Sequence, residues 1–373
     1  MKNLITLLVI AVLLTSCTDK PKSEQNEKTK NTSAFSEFQD ELEKIDSIKI
    51  FIAKEIRTMD PSMPVAHAVA VANGKIVAVG EMSSLKPWMD NHPYQIDSTF
   101  IDKTLFPGFI DPHVHPSLPA VVTQFPFIAP DDWNLPTGFF PGAPTPEDYL
   151  NLLNQQLEAY INDENKDPKI PFITWGYHGL WHGELNRVKL NELFGATPVM
   201  LWHRSFHEMI GNDAAFKLLD VTDEFVAELQ NKGLTEIDWE NGHFWENGLM
   251  GLLPKMGFLL EPERYGTGMK NFFTMAHQNG ITSVMDMGVG VFGDPVGETK
   301  LIREIAENNK VPARIVLTPI ITDFIARGKT PEEALAEINE WKNGNSNRVR
   351  YENHFKIMID GAIFSGASMF NDP

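Results

Sequence analysis

Cysteine is almost absent from this sequence, which has Cys17 as its single cysteine among 373 residues. A disulfide needs two cysteines, so none can form within one chain. Nucleophilic catalysis by cysteine is excluded after residue 17, and neither a Ser-His-Asp set nor a phosphate-binding glycine loop is evident. Basic residues are also scarce, since 32 Lys and Arg against 50 Asp and Glu give a net charge of −18. This balance argues against a nucleic acid or an anionic membrane surface as a partner.

The first apolar run, Leu4–Leu14, is too short to span a bilayer but has the length of a signal-peptide core. It ends in Leu14-Thr15-Ser16-Cys17, which resembles a bacterial lipobox. We therefore predict a lipoprotein signal peptide at residues 1–17, lipidation of Cys17 and a polar linker at residues 18–46. The exported protein is then expected to be anchored by lipid at the periplasmic face of a membrane or at the cell surface. An uncleaved anchor or a chance cysteine is the alternative.

Hydrophobic periodicity divides the remaining chain. Alternating runs separated by turn residues, including Asn73-Gly74, predict a small β domain at residues 47–104. Residues 119–270 are rich in Pro, Gly and Trp and show no simple rhythm, so we interpret them as a long insertion that builds a substrate pocket. The predicted strands are Leu105–Pro112, Ile281–Met287, Ala313–Pro319 and His354–Ile359, and the predicted helices are Pro146–Asn162, Glu298–Asn309 and Pro331–Lys342. This alternation predicts an α/β fold with four strands of a (β/α) barrel, of the eight that a barrel needs.

His113 and His115 are the first candidate metal ligands. Side chains alternate along a strand, so residues at i and i+2 share a face with Cα atoms about 7 Å apart. Two imidazoles side by side at a strand end can bind one divalent cation. The alternative is a solvated loop that happens to carry two histidines.

The residues around this pair, Pro107-Gly108-Phe109-Ile110-Asp111-Pro112-His113-Val114-His115, resemble the first barrel strand of the amidohydrolase superfamily. Upstream, residues 68–80 are similar to the N-terminal strands of its family 3 branch, and matches continue in order to Lys356 and Asp360-Gly361. The resemblance covers roughly residues 48–373. It implies a (β/α)8 TIM barrel, here a partial barrel at residues 105–373, and a small N-terminal β-sandwich domain.

Lys356 is the second focus. Period two places Lys356, Met358 and Asp360 on one face of the predicted fourth strand. A lysine that faces a barrel interior is costly unless it is paired, neutral or modified. The resemblance implies that Lys356 is carboxylated and bridges two metal ions. A salt bridge from Lys356 to Asp360 or Asp286 is the alternative.

The resemblance also implies roles for residues near the site. His207, followed five residues later by Asn212, is similar to a family histidine and asparagine, which implies catalysis by His207 and substrate binding by Asn212. Trp175 and Glu246 lie in segments that resemble pocket-lining segments and are candidate substrate-binding residues. Asp286 ends the predicted second strand and is a candidate catalytic residue. Packing, or a structural role in a loop, is the alternative for each of them.

Together these features imply a metal-dependent amidohydrolase that hydrolyses a carbon–nitrogen bond other than a peptide bond with metal-activated water. Zinc is the expected ion, with iron or manganese as alternatives, and a small molecule is the expected substrate. The family usually adds histidines from the fifth and sixth strands and an aspartate from the eighth, whereas His354 is the last histidine here. We therefore expect a C-terminally truncated chain that is unstable alone. The alternative function is an inactive surface lipoprotein or a ligand-binding remnant of the fold.

Overall fold

The structure, a computed structural model, describes residues 45–290, 295–308 and 313–358. The chain divides into two compact units between Pro107 and Gly108.

Several predictions fall on residues outside the described ranges. The signal peptide, Cys17, nearly all of the predicted linker and Asp360 belong to this group. Export and lipidation therefore stay predictions. Within the part of the chain that the structure describes, no helix combines the length and the apolar character that crossing a membrane requires.

The first unit contains one four-stranded sheet. Its elements are β1 (Ile48–Arg57), β2 (Val65–Ala72), β3 (Lys75–Gly80), a 3₁₀ turn (Met82–Leu85), α1 (Lys86–Asn91) and β4 (Tyr94–Leu105). The strand order is β3-β2-β1-β4, with β1 and β4 parallel and the other pairs antiparallel. Asn73 and Gly74 both have positive φ, as the predicted tight hairpin turn between β2 and β3 requires. The described residues show one layer of sheet here, so the β-sandwich stays a prediction.

The second unit holds the other strands and helices. Its strands are β5 (Phe109–Val114), β6 (Trp133–Leu135), β7 (Gly138–Phe140), β8 (Phe172–Tyr177), β9 (Val199–His203), β10 (Glu208–Gly211), β11 (Ile237–Asp238), β12 (His243–Trp245), β13 (Ile281–Val289), β14 (Arg314–Pro319) and β15 (Val349–Tyr351). Its helices are α2 (Ser117–Val122), α3 (Pro146–Asn162), α4 (Gly179–His182), α5 (Arg187–Phe194), α6 (Asp213–Leu218), α7 (Asp223–Asn231), α8 (Glu246–Leu252), α9 (Pro262–Gln278), α10 (Pro295–Ala306), α11 (Ile321–Ala326) and α12 (Pro331–Lys342), with a 3₁₀ stretch at Leu253–Leu260.

Four strands of this unit form a parallel sheet in the order β5-β13-β14-β15. Helix α9 leads into β13, α10 connects β13 to β14, and α11 and α12 connect β14 to β15. Neighbouring parallel strands joined through helices are the βαβ units predicted from the sequence. The mixed α/β architecture is therefore confirmed, whereas closure into a barrel stays a prediction.

The fourth strand of this sheet lies earlier in the chain than predicted. β15 covers Val349–Tyr351, whereas the sequence analysis placed a strand at His354–Ile359. The side chains of Val349 and Tyr351 are buried while Arg350 between them is exposed. The alternation of buried and exposed residues in β15 covers three residues, so it is a weaker signal for a strand than the longer apolar run at residues 355–359.

Lys356 nevertheless pairs with the end of β14. Its N–H donates to the Pro319 carbonyl at 2.9 Å, and Lys356 forms a parallel bridge with Ile320. Tyr351 pairs with Leu317, so five residue steps to Lys356 match three steps to Ile320 on the neighbour. The two extra residues form a bulge, and this bulge determines where the Lys356 backbone lies beside β14.

A second, mixed sheet occupies much of the predicted insertion. Its order is β11-β12-β10-β9-β8, with β8 and β9 parallel and the other pairs antiparallel. One hydrophobic core joins the mixed sheet to the parallel sheet, since buried Trp202 and Phe244 belong to the same cluster as Val284 and Ile315. The two sheets are therefore parts of one packed unit.

Helix α9 approaches α2 closely at Gly268. A Cβ at this position would stand 1.7 Å from the Ala120 carbonyl oxygen. Glycine is therefore required at the contact, and the helix that follows His115 is packed directly against α9.

Candidate active site

Two histidines stand at the C-terminal end of β5. His113 lies within the strand and His115 directly follows its last residue. Their ring centres are 5.3 Å apart with the ring planes nearly perpendicular. Asp111 Oδ1 accepts the His113 N–H at 3.1 Å, so this carboxylate closes a local turn. The two imidazoles therefore lie beside each other, as their spacing predicts.

His115 lies between Lys356 and strand β13. Lys356 Nζ lies 3.4 Å from His115 Nε2. Gly288 of β13 packs against the other side of the ring, where a Cβ would stand 2.6 Å from His115 Nδ1. Burial, followed by the charges of Lys356, His113 and His207, lowers the pKa of His115 to about 4. The ring is therefore neutral at neutral pH, which is the form that binds metal ions.

Asp286 is fully buried in β13. Its Oδ1 accepts the Gly288 N–H at 2.9 Å, whereas Oδ2 has no hydrogen-bond partner among the residues that the structure describes. Burial, and then the charge of Glu298, raises the pKa of Asp286 well above its ordinary value, while the charge of Lys356 opposes this. Burial also lowers the pKa of Lys356, opposed by Asp286. The two side chains thus influence each other, while the polar contact that Lys356 makes is with His115.

The sequence analysis missed Glu298, which lies on α10 behind Asp286. Its Oε1 accepts the Tyr265 hydroxyl at 3.1 Å and its Oε2 accepts the Gly290 N–H at 2.8 Å. Burial, followed by the charges of Glu298 and Asp286, raises the pKa of Tyr265 well above its ordinary value. A sequence signal was present, because Glu298 shares the helical spacing of the buried residues Ile302 and Ile305.

His207 and Glu246 form a second polar pair. His207 Nδ1 lies 3.1 Å from Glu246 Oε2, and the Glu246 N–H donates to the His207 carbonyl at 2.9 Å. Glu246 also has positive φ, an unusual conformation for a residue with a side chain. The structure therefore brings together two residues that the sequence analysis treated separately.

Asn212 caps α6. Its Oδ1 accepts the N–H groups of Ala215 and Val199 at 3.0 Å each, and its Nδ2 donates to the Thr197 carbonyl at 2.8 Å. The side chain is fully buried. The substrate contact predicted for Asn212 stays a prediction, but it would require these structural bonds to break.

Trp175 lies in β8 and is buried. Its ring centre is 4.6 Å from that of Phe127, 5.4 Å from that of Trp133 and 5.2 Å from that of Phe206. The structure thus places Trp175 in an aromatic cluster below the turn that carries His207. Packing accounts for this position, and its predicted contact with a substrate stays a prediction.

Glu208 connects further histidines that the sequence analysis did not select. Its carboxylate lies 3.0 Å from His243 Nε2 and 3.6 Å from His203 Nδ1. The ring of His178 lies 4.7 Å from that of His203 between centres. These contacts depend on the pairing of β9, β10 and β12, so no local pattern in the sequence predicts them.

The residues at the end of β5 have the chemistry of part of a cation site. His113 and His115 offer imidazole nitrogens, and Lys356 offers an amine that binds metal only when neutral or carboxylated. Within residues 45–290, 295–308 and 313–358, no group of three or more His, Cys, Asp or Glu side chains is arranged to hold a metal ion. The described residues therefore fit a cation as an incomplete ligand set.

Known proteins share this fold. No protein-family profile matches the chain. The chain is 25% identical over 317 residues to the "Exoenzymes regulatory protein AepA" of Pectobacterium carotovorum subsp. carotovorum, covering 83% of this chain and 62% of that protein. Crystal structures of uncharacterized metal-dependent hydrolases from Pyrococcus horikoshii OT3 and Pyrococcus furiosus match with TM-scores of 0.56 and 0.55 and identities of 18% and 16%.

These matches establish the fold of a metal-dependent hydrolase. The alignments cover 85% of this chain and 56% and 57% of the two Pyrococcus chains. The chain therefore spans less than two thirds of the length of the proteins it resembles.

Proposed function

We propose that this chain carries part of the metal site of an amidohydrolase of family 3, a hydrolase that cleaves a carbon–nitrogen bond other than a peptide bond. The observation that carries the proposal is the 3.4 Å approach of Lys356 Nζ to His115 Nε2, between residues 241 positions apart. A lysine beside a metal-type histidine pair at the ends of parallel strands matches the arrangement that the resemblance implies.

The proposal includes a (β/α)8 barrel for the complete fold. The parallel order β5-β13-β14-β15, with helices between the strands, is what the first four units of such a barrel would have. Barrel enzymes place their active sites at the C-terminal ends of the strands, and His113 and His115 lie at such an end. The small N-terminal sheet is then part of the family's β-sandwich.

The proposed ligands are His113, His115 and Lys356. We expect zinc, with iron or manganese as alternatives, because imidazole is a ligand for all three. A cation held by these residues supplies Lewis acidity, which lowers the pKa of water and polarises the bond to be cleaved. Lys356 must be neutral to react with carbon dioxide, and burial lowers its pKa in that direction.

His207 is the proposed catalytic side chain that faces the substrate. Its Nδ1 bonds to Glu246, which orients the ring and leaves Nε2 free to exchange a proton with the substrate. The His207 side chain is 42% exposed, in contrast to 17% for Glu246, so His207 is the accessible member of the pair. Asp286 is fully buried and burial raises its pKa, and it stays a candidate catalytic residue.

Metal content measured on the purified 373-residue chain tests this proposal. We expect bound zinc, iron or manganese in the wild type and at least about a tenfold weaker affinity in the double variant His113→Asn/His115→Asn, since two ligands are lost. His277→Gln, a histidine on α9 outside the site, is the matched control. Added bicarbonate should raise the metal content of the wild type but not of Lys356→Arg. Equal metal content in wild type and double variant would refute the site.

The bond specificity needs a separate assay. We expect a metal-loaded fusion of this chain to the C-terminal part of a longer relative to hydrolyse N-acyl amino acids or cyclic amides in preference to esters of the same acids. Preference for the esters would replace the C–N assignment with a C–O assignment on the same fold. A second candidate function is non-catalytic, and the similarity to a protein named as a regulator of exoenzymes favours it. Metal binding without hydrolysis of any substrate would support that candidate.

A further inference from the structure

The turn between β9 and β10 carries His207 and has an unusual backbone. Phe206 adopts a positive φ of 69°. The Phe206 N–H donates to the His203 carbonyl at 3.0 Å, and Trp202 Nε1 donates to the Phe206 carbonyl at 3.1 Å. A non-glycine residue in this region needs support from its surroundings.

His203 supplies a further set of bonds to this turn. The Ser205 N–H donates to His203 Nδ1 at 3.1 Å, and the Ser205 hydroxyl lies 2.8 Å from the same nitrogen. The His207 N–H in turn donates to Ser205 Oγ at 3.1 Å. A continuous chain of hydrogen bonds therefore connects the His203 ring to the backbone of His207.

These bonds define the protonation state of His203. A backbone N–H can only donate, so His203 Nδ1 must carry a lone pair and the ring hydrogen must sit on Nε2. The surroundings favour this neutral form, because burial lowers the pKa of His203 to about 4, and His178, His243 and His207 also disfavour a charge while Glu208 opposes them. Nδ1 is therefore available as an acceptor at neutral pH.

We propose that His203 is a positioning residue, whose unprotonated Nδ1 fixes the turn that carries His207 through Ser205. The inference rests on the proposed function in one respect, since it gives His207 an active-site role. The geometry of the turn is independent of that role. Glu208 is the first residue of β10. Its Oε1 lies 3.6 Å from His203 Nδ1, and its Oε2 lies 3.0 Å from His243 Nε2.

The test measures the accessibility of His207 in the full chain. Carbethoxylation of each histidine by diethyl pyrocarbonate is followed by peptide mass spectrometry, which needs neither metal nor activity. His203→Leu removes the acceptor, whereas His203→Asn places an amide oxygen near the position of Nδ1. We expect the rate at His207 to rise about fivefold in His203→Leu, the change that loss of one average hydrogen bond produces. In His203→Asn the rate should remain that of the wild type.

Two further variants keep the test decisive. Ser205→Ala removes the link while leaving His203 in place, and we expect the same rise at His207. His182→Asn is the matched control, because His182 is also buried and accepts a backbone N–H at Nδ1 but lies outside the turn. If His203→Leu fails to melt cooperatively, Ser205→Ala decides the question.

Unchanged reactivity of His207 in folded His203→Leu or in Ser205→Ala would overturn the proposal. An equal rise in His182→Asn would also overturn it, because the effect would then reflect general loosening. Failure of the proposed function gives a different result, namely a chain that binds no metal while the His207 reactivity responds as expected.

Discussion

The parallel sheet and the mixed sheet use histidine in different ways. In β9 of the mixed sheet and in helix α4 that follows β8, His203, His178 and His182 each accept a backbone N–H at Nδ1. At the end of β5 in the parallel sheet, His113 and His115 stand beside each other, and His115 meets Lys356. Histidine bonded to the backbone acts as a cap or a brace, because its lone pair is already engaged. For histidine that meets another ionisable side chain, the charge of that partner shifts the imidazole pKa.

This difference separates structural from functional candidates within one chain. The mixed sheet has more histidines than the parallel sheet, yet its imidazoles are engaged in holding helix α4 and the turn before β10. His207 and His243 are exceptions there, since their rings bond to the carboxylates of Glu246 and Glu208.

Among the substitutions, Gly268→Ala should lower stability most. It disturbs the contact between helices α9 and α2, which pack beside the parallel sheet. The new methyl group would collide with the Ala120 backbone, so α9 and α2 must separate. We expect a loss of about 3 kcal/mol in the free energy of unfolding, as for overpacking against rigid atoms. Chemical denaturation measures it.

Gly266→Ala on the same helix is the control for this prediction. A Cβ there meets no atom closer than 3.9 Å. We expect a gain of about 0.5 to 1 kcal/mol, because alanine has the higher helix propensity. If Gly268→Ala and Gly266→Ala changed the free energy of unfolding by the same amount, the close α9–α2 contact at Gly268 would be contradicted.

Asn212→Ala should have the next largest effect on stability, because the Asn212 side chain bonds to β9 of the mixed sheet. It removes the cap of α6 and leaves the Val199 N–H and the Thr197 carbonyl without their partner. We expect a loss of about 2 kcal/mol. Asn186→Ala, which removes the more accessible cap of α5, should cost about 1 kcal/mol. A negligible loss in Asn212→Ala would leave the residue open for its predicted contact with substrate.

Acid should also destabilise the chain, again through the mixed sheet. Burial lowers the pKa of both His182 and His203 to about 4, below the ordinary value of 6.5. The stability that these neutral rings contribute is fully present above pH 6.5 and is lost as the pH falls through 4, since the unfolded chain binds protons first. Unfolding within this window should take up about one proton at each of His182, His203 and His115, whose pKa is also lowered to about 4. Urea titrations across the window measure this uptake, and a flat profile would contradict it.

Elements with local signals were predictable from the sequence. Helices α3 and α12 have the predicted bounds because each begins with a threonine cap followed by proline. The hairpin between β2 and β3 follows from Asn73-Gly74, since these residues accept positive φ. Residues in such elements needed no knowledge of distant partners.

Elements that depend on distant partners were not predictable. The bulge before Lys356 is defined by pairing with β14, and the burial of Glu298 is defined by its contacts with Tyr265 and Gly290. The capping role of Asn212 involves Val199, whose position follows from the parallel pairing of β9 with β8. The resemblance implies that His115 and Lys356 belong to one site, and in the structure Lys356 Nζ lies 3.4 Å from His115 Nε2.

The long separation of His115 and Lys356 has a consequence for how the chain folds. The hairpin of β9 and β10 closes over a few residues, whereas the contact of His115 with Lys356 closes 241. Closing a long loop costs more chain entropy, so we expect the mixed sheet to form early and the candidate site late. During synthesis the histidine pair leaves the ribosome well before Lys356 does. The histidine pair is therefore present in the growing chain before the lysine that contacts His115 in the folded structure.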